Sequence, residues 1–209
     1  MSASANVDQA TSGQEEVNQG KRRFLVAAST VVGGAGAAAL LAPFLSSMAP
    51  SERAKAAGAP VEADISKLEF GQQMAVEYRG KPVWIVRRTQ ESLDMLPEND
   101  PSLKDPRSEV LSQQPAYAKN PMRSIKPEYI VLVGICTHLG CSPTYRPELA
   151  PPDLGSEWRG GWYCPCHGSR FDMAGRVTSN SPAGTNLEVP AHSYISDSLI
   201  IIGVDQENA

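Results

Sequence analysis

The chain has 209 residues, of which 20% are charged and 41% hydrophobic, a composition typical of a folded protein and not of a wholly disordered one. Its formal net charge of −4 argues against a nucleic-acid binder, which usually has a basic surface. Four cysteines exclude a disulfide-dense small domain, and the length allows one domain of ordinary size with additional segments.

The first quarter of the chain predicts an export signal and a membrane anchor. Residues 1–23 form a polar segment whose charges sum to zero, and residues 24–49 contain no charged side chain. A helix of those 26 residues spans about 39 Å, enough to cross a hydrocarbon core of about 30 Å when tilted. The preceding basic residues keep the N-terminus in the cytoplasm, so the rest of the chain lies on the opposite side. Arg22-Arg23 before Phe24-Leu25-Val26 fits a twin-arginine signal, with an ordinary basic flank as the alternative.

A hinge and one folded domain follow the anchor. Residues 50–61 are rich in small residues and have no apolar periodicity, which is typical of a flexible tether. Residues 62–209 have the length of a single domain, and their many prolines favour an all-β fold. A short helical turn is predicted at 90–95 and a hairpin turn at Asp197-Ser198. Apolar runs predict strands at 74–78, 83–88, 129–135, 162–164, 187–189, 194–195 and 199–204.

All four cysteines and two of the three histidines fall into two short blocks. The first is Cys136-Thr-His138-Leu-Gly-Cys141, and the second is Cys164-Pro-Cys166-His167-Gly-Ser169. Such pairing in a cysteine-poor chain predicts a metal centre. Two cysteines and two histidines can hold either a zinc ion or a 2Fe–2S cluster, and each choice leaves two cysteines for a disulfide. Two unrelated disulfides with incidental histidines are the third interpretation.

The two blocks resemble those of the Rieske iron–sulfur subunits of ubiquinol–cytochrome c reductase, and the resemblance extends over anchor, hinge and domain. It implies an all-β Rieske fold of antiparallel sheets, with a smaller cluster-binding subdomain at about 134–184. It also implies one Rieske-type 2Fe–2S cluster, with two ligands on an inner iron and two on an outer, exposed iron. The implied ligands of the inner iron are Cys136 and Cys164, and those of the outer iron are His138 and His167. The remaining implied features are a Cys141–Cys166 disulfide and a hydroxyl donor to a bridging sulfide at Ser169.

Three further positions bear on this resemblance. Many family members have tyrosine at the position of Phe171, with a hydroxyl that bonds a ligand sulfur, so we predict a lower reduction potential here. The loop at 180–184 resembles the proline loop that covers the cluster, but Gly184 stands where a second proline is usual. His192 is predicted to be a non-ligand histidine at the surface or at a strand end.

The resemblance implies an electron-transfer role in quinol oxidation. Ubiquinol, bound in cytochrome b, gives one electron to the cluster and a proton to His138 or His167. The domain then moves on its tether and passes the electron to cytochrome c1, which contributes to proton translocation. The chain is thereby expected to be a subunit of a dimeric complex in the bacterial inner membrane, with the cluster domain in the periplasm and no nucleic-acid partner.

Other classes of Rieske protein fit less well. An oxygenase needs a further iron held by two histidines and a carboxylate, and His192 alone cannot supply that site. A soluble ferredoxin lacks the anchor, and the plastoquinol counterpart differs after Cys141. A small Rieske subunit of another exported oxidase, such as arsenite oxidase, is the alternative that the sequence leaves open.

Overall fold

The computed structural model describes residues 18–51, 54–55 and 58–205, and it divides into two units after Ser51. The first unit is helix α1 (Gln19–Ser47). Its first turn is capped by the side-chain oxygen of Asn18, which accepts hydrogen bonds from the N–H groups of Gly20 and Lys21. The helix therefore begins before the predicted start at Phe24. Two predicted segments lie partly outside the described residues: residues 1–17 of the N-terminal segment 1–23, and residues 52–53 and 56–57 of the hinge.

Helix α1 has the length and composition of a membrane span. Its 29 residues are all exposed within this unit, and they include large apolar side chains such as Phe24, Leu40 and Phe44. Among the described residues, it is the helix that is long and apolar enough to cross a membrane. The prediction of one apolar N-terminal helix is confirmed.

The second unit is an antiparallel β domain, which confirms the predicted fold class. Its nine strands among the described residues form three three-stranded sheets, in the orders β1-β9-β8, β2-β3-β4 and β5-β6-β7. Two short helices, α2 (Gln90–Asp94) and α3 (Leu96–Asn99), follow β3, and the first matches the predicted helical turn. The strands are β1 (Val61–Asp64), β2 (Gln73–Tyr78), β3 (Lys81–Arg87), β4 (Tyr129–Val133), β5 (Thr144–Leu149), β6 (Arg159–Tyr163), β7 (Arg170–Phe171), β8 (His192–Ser196) and β9 (Leu199–Ile202).

Strands β3 and β4 of the β2-β3-β4 sheet are buried on both faces, so this sheet connects two hydrophobic cores. Successive side chains of a strand point to opposite faces of the sheet. In β3, Val83 and Ile85 join a core that includes Ile200 and Ile202 of β9. Trp84 and Val86 of the same strand join the other core, which contains both ligand-loop cysteines that are not in a disulfide. The β1-β9-β8 sheet thus covers one face of the central sheet, and the predicted metal site lies beyond the other.

A tryptophan pair joins the β5-β6-β7 sheet to this central sheet. Trp162 of β6 is fully buried and stacks on Trp84, with ring centroids 5.9 Å apart and an interplanar angle of 3°. Its indole N–H donates to the side-chain oxygen of Gln73 at 2.9 Å. A Cβ atom at Gly134 would overlap the ring of Trp84, so the chain leaves β4 at the one residue type that fits there.

The structure corrects several predicted strands. Residues 187–189 form no strand, although Leu187 and Val189 are buried. The N–H of Val189 donates instead to the carbonyl of Gln113, which ends a 3-10 turn. Strands β1, β5 and β7 were not predicted. β5 is a mostly polar strand that contains Pro147, and β7 has two residues, so neither shows a clear hydrophobic pattern. The predicted hairpin turn at Asp197-Ser198 joins β8 to β9.

Candidate metal centre

The first predicted ligand block forms a tight loop directly after β4. The N–H of Cys136 donates to the carbonyl of Cys141 at 2.7 Å, and the N–H of Gly140 donates to the carbonyl of Cys136 at 3.0 Å. Gly140 has a φ of 85°, which favours glycine. Because the loop folds back on itself, Cys136 is buried, His138 is half-buried and Leu139 is exposed.

The second block forms a loop with the same hydrogen-bond pattern between β6 and β7. The N–H of Cys164 donates to the carbonyl of Ser169 at 2.8 Å, and the N–H of Gly168 donates to the carbonyl of Cys164 at 2.9 Å. Gly168 has a φ of 78°. Here too the leading cysteine is buried, whereas Cys166 and His167 are exposed.

The two loops are joined at three levels. Cys141 and Cys166 form a disulfide, the pairing that the family resemblance implies. The imidazole rings of His138 and His167 lie against each other, with centroids 4.8 Å apart and an interplanar angle of 88°. The leading cysteines of the two loops, Cys136 and Cys164, are both free and lie buried in the same hydrophobic core. The structure thus has two buried sulfur donors and, nearer the surface, two nitrogen donors.

Among the described residues, the donor atoms that lie close enough together to share a metal ion are three sulfurs, and these are not the predicted ligand set. The sulfur atoms of Cys141, Cys164 and Cys166 lie within 4.8 Å of one another. Two of these sulfurs are in the disulfide, so they have no thiolate to offer. The donor set that remains is two thiols and two imidazoles, which fits a 2Fe–2S cluster with two sulfur and two nitrogen ligands.

Burial sets the protonation of the inner sulfur. The pKa of the Cys136 thiol is raised above its usual value, mainly by desolvation. Hydrogen bonds from the N–H of His138 and from the side chain of Ser169 act in the opposite direction. A metal must therefore displace a proton to bind this sulfur, and donors that favour the thiolate are already in place.

The covering loop, residues 180–184, is hydrogen-bonded close to both ligand loops. The hydroxyl of Ser169, which is fully buried, accepts the N–H of Ala183 at 3.1 Å. The hydroxyl of Thr137 donates to the carbonyl of Thr185, the residue after the loop, at 2.6 Å. Pro182 is exposed at the outside of the loop. The hydroxyl of Ser169 thus holds the covering loop, and because Ser169 belongs to the second ligand loop, the same hydroxyl can also contact the site.

Three buried arginines support the segments around the site, and no pattern in the sequence points to them. Arg88 and Arg123 are fully buried and donate mainly to backbone carbonyls, among them those of Pro127, Met173 and Leu187. Burial lowers the pKa of Arg88 to about 9 and that of Arg123 to about 10. The third, Arg176, is paired with Asp172 at 2.8 Å. The positions of Arg88 and Arg123 carry no periodic signal, since most of their partners are backbone carbonyls, which any residue supplies.

His192 is not part of the site. It begins β8, as the strand-end prediction states, but it is buried and not at the surface. Its Nδ1 lies 2.8 Å from the carbonyl oxygen of Pro190, and its ring packs edge-on against Tyr117.

Two family profiles match this chain. The profile of the Rieske 2Fe-2S domain matches residues 60–192, and a profile described as "Ubiquitinol-cytochrome C reductase Fe-S subunit TAT signal" matches residues 11–51. The ubiquinol-cytochrome c reductase iron-sulfur subunit of Allochromatium vinosum is 64% identical and covers 92% of this chain and 93% of its own. The subunit of the same name from Bradyrhizobium diazoefficiens is 38% identical and covers 88% of this chain and 94% of its own. A solved structure described as "Hyperthermophilic respiratory Complex III" aligns with a TM-score of 0.44 and 25% identity, over 85% of this chain and 98% of that one.

The disulfide-linked loops and the profile match define a Rieske-type domain. The chain belongs to the Rieske iron–sulfur family and, within it, to the iron–sulfur subunits of ubiquinol–cytochrome c reductase. It therefore carries a Rieske 2Fe–2S cluster and is an electron-transfer subunit of an oxidoreductase complex. The predicted twin-arginine signal is confirmed by the N-terminal profile, and this signal with helix α1 fits a membrane-anchored exported subunit.

Proposed function

We propose that this chain takes one electron from ubiquinol bound in a cytochrome b subunit and passes it to cytochrome c1, while a ligand histidine takes up a quinol proton. The observation that carries the proposal is the pair of imidazoles near the surface, His138 and His167, on the two loops whose leading thiols are buried. A quinol that binds at this surface therefore contacts the nitrogen ligands before it reaches the sulfur ligands.

The residue roles in this proposal follow from burial. Cys136 and Cys164 hold the inner iron, because their sulfurs lie in the core. His138 and His167 hold the outer iron, with His167 the more exposed of the two. When bound, the cluster supplies a one-electron acceptor whose potential is high because neutral imidazoles replace two thiolates.

The proton is proposed to go to a ring nitrogen that does not hold metal. An imidazole ligand uses one nitrogen for the metal and presents the other to a hydrogen-bond partner. The exposed ring of His167 can accept a hydrogen bond from a quinol hydroxyl, and the half-buried ring of His138 is the second acceptor. A quinol held in this way has its proton acceptor in place before the electron leaves.

The transfer to cytochrome c1 requires the domain to reach a second partner. We propose that residues 50–61 act as the tether for that movement, since their small residues give a flexible chain. Helix α1 anchors the chain in the inner membrane, and the basic residues before it favour a cytoplasmic N-terminus and a periplasmic cluster domain. The complex is proposed to be a dimer and to contribute to proton translocation.

Low-temperature EPR of reduced membranes, with metal analysis of the purified complex, tests the proposal. We expect a 2Fe–2S signal with the low average g of nitrogen-ligated iron, which changes when a quinone-site inhibitor binds, and co-purification with cytochromes b and c1. His138→Ala and His167→Ala should abolish the signal. His192→Gln is the matched control, because it removes the third histidine, and it should keep the signal. Zinc without iron, or a signal that survives both ligand substitutions, would refute the proposal.

A further inference from the structure

A segment at residues 100–110, here called the strap, is hydrogen-bonded to both sides of the covering loop. On one side, Leu103 pairs with Thr178 in an antiparallel bridge, and the N–H of Lys104 donates to the carbonyl of Val177 at 3.0 Å. On the other side, the side-chain amide of Asn186 donates to the carbonyl of Asp105 at 3.0 Å. The backbone of the strap is thus fixed beside the loop that covers the site.

The side chain of Lys104 extends from the strap to the covering loop itself. Its ammonium donates to the carbonyl of Ser181 at 2.6 Å and to that of Ala183 at 2.7 Å. The N–H of Ala183 is bound to the hydroxyl of Ser169 at 3.1 Å. Ala183 is therefore held on both sides: the strap binds the carbonyl of Ala183, and the second ligand loop binds the N–H of Ala183.

These bonds are of unequal strength. Hydrogen bonds from a charged donor are roughly twice as strong as those between neutral groups, and Lys104 makes two of them. The neighbouring Gly184 has no Cβ, and one built there meets nothing within 4 Å, so packing does not restrict the backbone at that point. The ammonium is the charged contact that joins the middle of the loop to the strap.

We propose that Lys104 is a positioning residue that keeps the covering loop closed over the 2Fe–2S site, through the carbonyls of Ser181 and Ala183. The proposal rests on the proposed function, because closure matters for electron transfer only when the ligands beneath the loop hold a cluster. Loss of the ammonium opens the loop at Ala183, weakens the contact to Ser169 and admits water and small chelators to the site.

Hydrogen exchange of the full complex, read by mass spectrometry, measures the opening of this loop. Lys104→Met keeps most of the side-chain stem and removes the charge and the donors, and we expect exchange at residues 180–187 to rise by about tenfold, the factor that corresponds to about 1.4 kcal/mol of lost stability. Strands β3 and β4 should exchange as in the parent protein. The absorbance of the 2Fe–2S cluster should be lost several-fold faster in the presence of a chelator.

Three variants isolate the contact. Lys126→Met is the matched control, because Lys126 bonds to Asp197 at 2.8 Å at the surface, away from the strap, and should leave both readouts unchanged. Lys104→Arg keeps the charge and should restore slow exchange. Lys104→Gln keeps a neutral donor and should give an intermediate rate, which also serves if Lys104→Met fails to assemble.

Two results would overturn the proposal. The first is a loop exchange rate in Lys104→Met or Lys104→Gln that equals the rate in Lys126→Met. The second is faster exchange throughout the domain that Lys104→Arg does not reverse. A parent complex without a 2Fe–2S signal would instead contradict the proposed function. The exchange of the loop is measured independently of that signal, so the two failures are distinguishable.

Discussion

Removal of the Ser169 hydroxyl tests how the second ligand loop controls the reduction potential. A serine hydroxyl has one donor and two acceptor positions. Here an acceptor position is used by the N–H of Ala183, and the Ser169 side chain is among the groups that partly offset the burial-raised pKa of the Cys136 thiol. A donor of this kind stabilises negative charge on sulfur, and the reduced state carries more of that charge than the oxidised state.

The size of the effect follows from the strength of one hydrogen bond to a charged group. Such a bond contributes about 1.5–3 kcal/mol. For a one-electron couple, about 1.4 kcal/mol corresponds to 59 mV. If the bond acts on the reduced state alone, Ser169→Ala lowers the midpoint potential by about 60 to 130 mV. The N–H of Ala183 also loses its acceptor, so some stability is lost as well.

Redox titration of the EPR signal in membranes measures this shift, and Thr137→Val is the matched control. The hydroxyl of Thr137 donates to the carbonyl of Thr185 at 2.6 Å and joins the first ligand loop to the residue that follows the covering loop, but its bond goes to backbone and not to sulfur. We expect its removal to weaken the structure and to leave the potential unchanged. An equal fall in both variants, or an unchanged potential in Ser169→Ala, would refute the reasoning.

Three further predictions concern the disulfide, the third histidine and the phenylalanine beside the site. Replacing Cys141 and Cys166 by alanine should lower the free energy of unfolding by about 3.5 kcal/mol, given a sequence separation of 25, and a loss below about 1 kcal/mol in guanidinium unfolding would contradict this. Burial lowers the pKa of His192, with Asp205 opposing, so its stabilising contribution is complete above about pH 6.5 and falls as the pH drops below that value. Thermal unfolding at pH 7 and pH 5 should therefore differ less in His192→Gln than in the parent protein. Phe171→Tyr, at a fully buried position, should raise the midpoint potential, and a redox titration without a rise would sink the idea.

The two ligand blocks could be singled out from the sequence because the chain has so few cysteines and histidines. Seven cysteines and histidines are present, and six lie in the two blocks, so only one histidine had to be set aside. The buried arginines were not predictable in the same way. Arg88 and Arg123 bind carbonyls from distant loops, and those loops come together only in the folded domain. Arg88 directly follows a strand and Arg123 lies in a turn, and neither position gives a sign in the sequence that the side chain will be fully buried.

The strands were predictable where burial is periodic and not where hydrogen bonding alone defines them. β3 and β4 are apolar runs in the central sheet, and both were placed close to their observed bounds. β5 is mostly polar, and it pairs with β6 through a register shift between Arg146 and Leu149. Leu187 and Val189 show the converse, since they have a strand-like pattern but pack into the core as an irregular segment.

The two ligand loops are variations of one local structure, and this explains how they divide their roles. In each loop, the leading cysteine is followed after four residues by a glycine with positive φ, and the N–H of that glycine bonds back to the carbonyl of the cysteine. The fifth position, whose carbonyl accepts the N–H of the leading cysteine, is Cys141 in one loop and Ser169 in the other. The side chain of Cys141 forms the disulfide, and the hydroxyl of Ser169 accepts the N–H of Ala183. A common backbone thus buries both thiols, and the residue after the glycine differs: in the first loop it is the cysteine that forms the disulfide with Cys166, and in the second it is a serine with a buried hydroxyl.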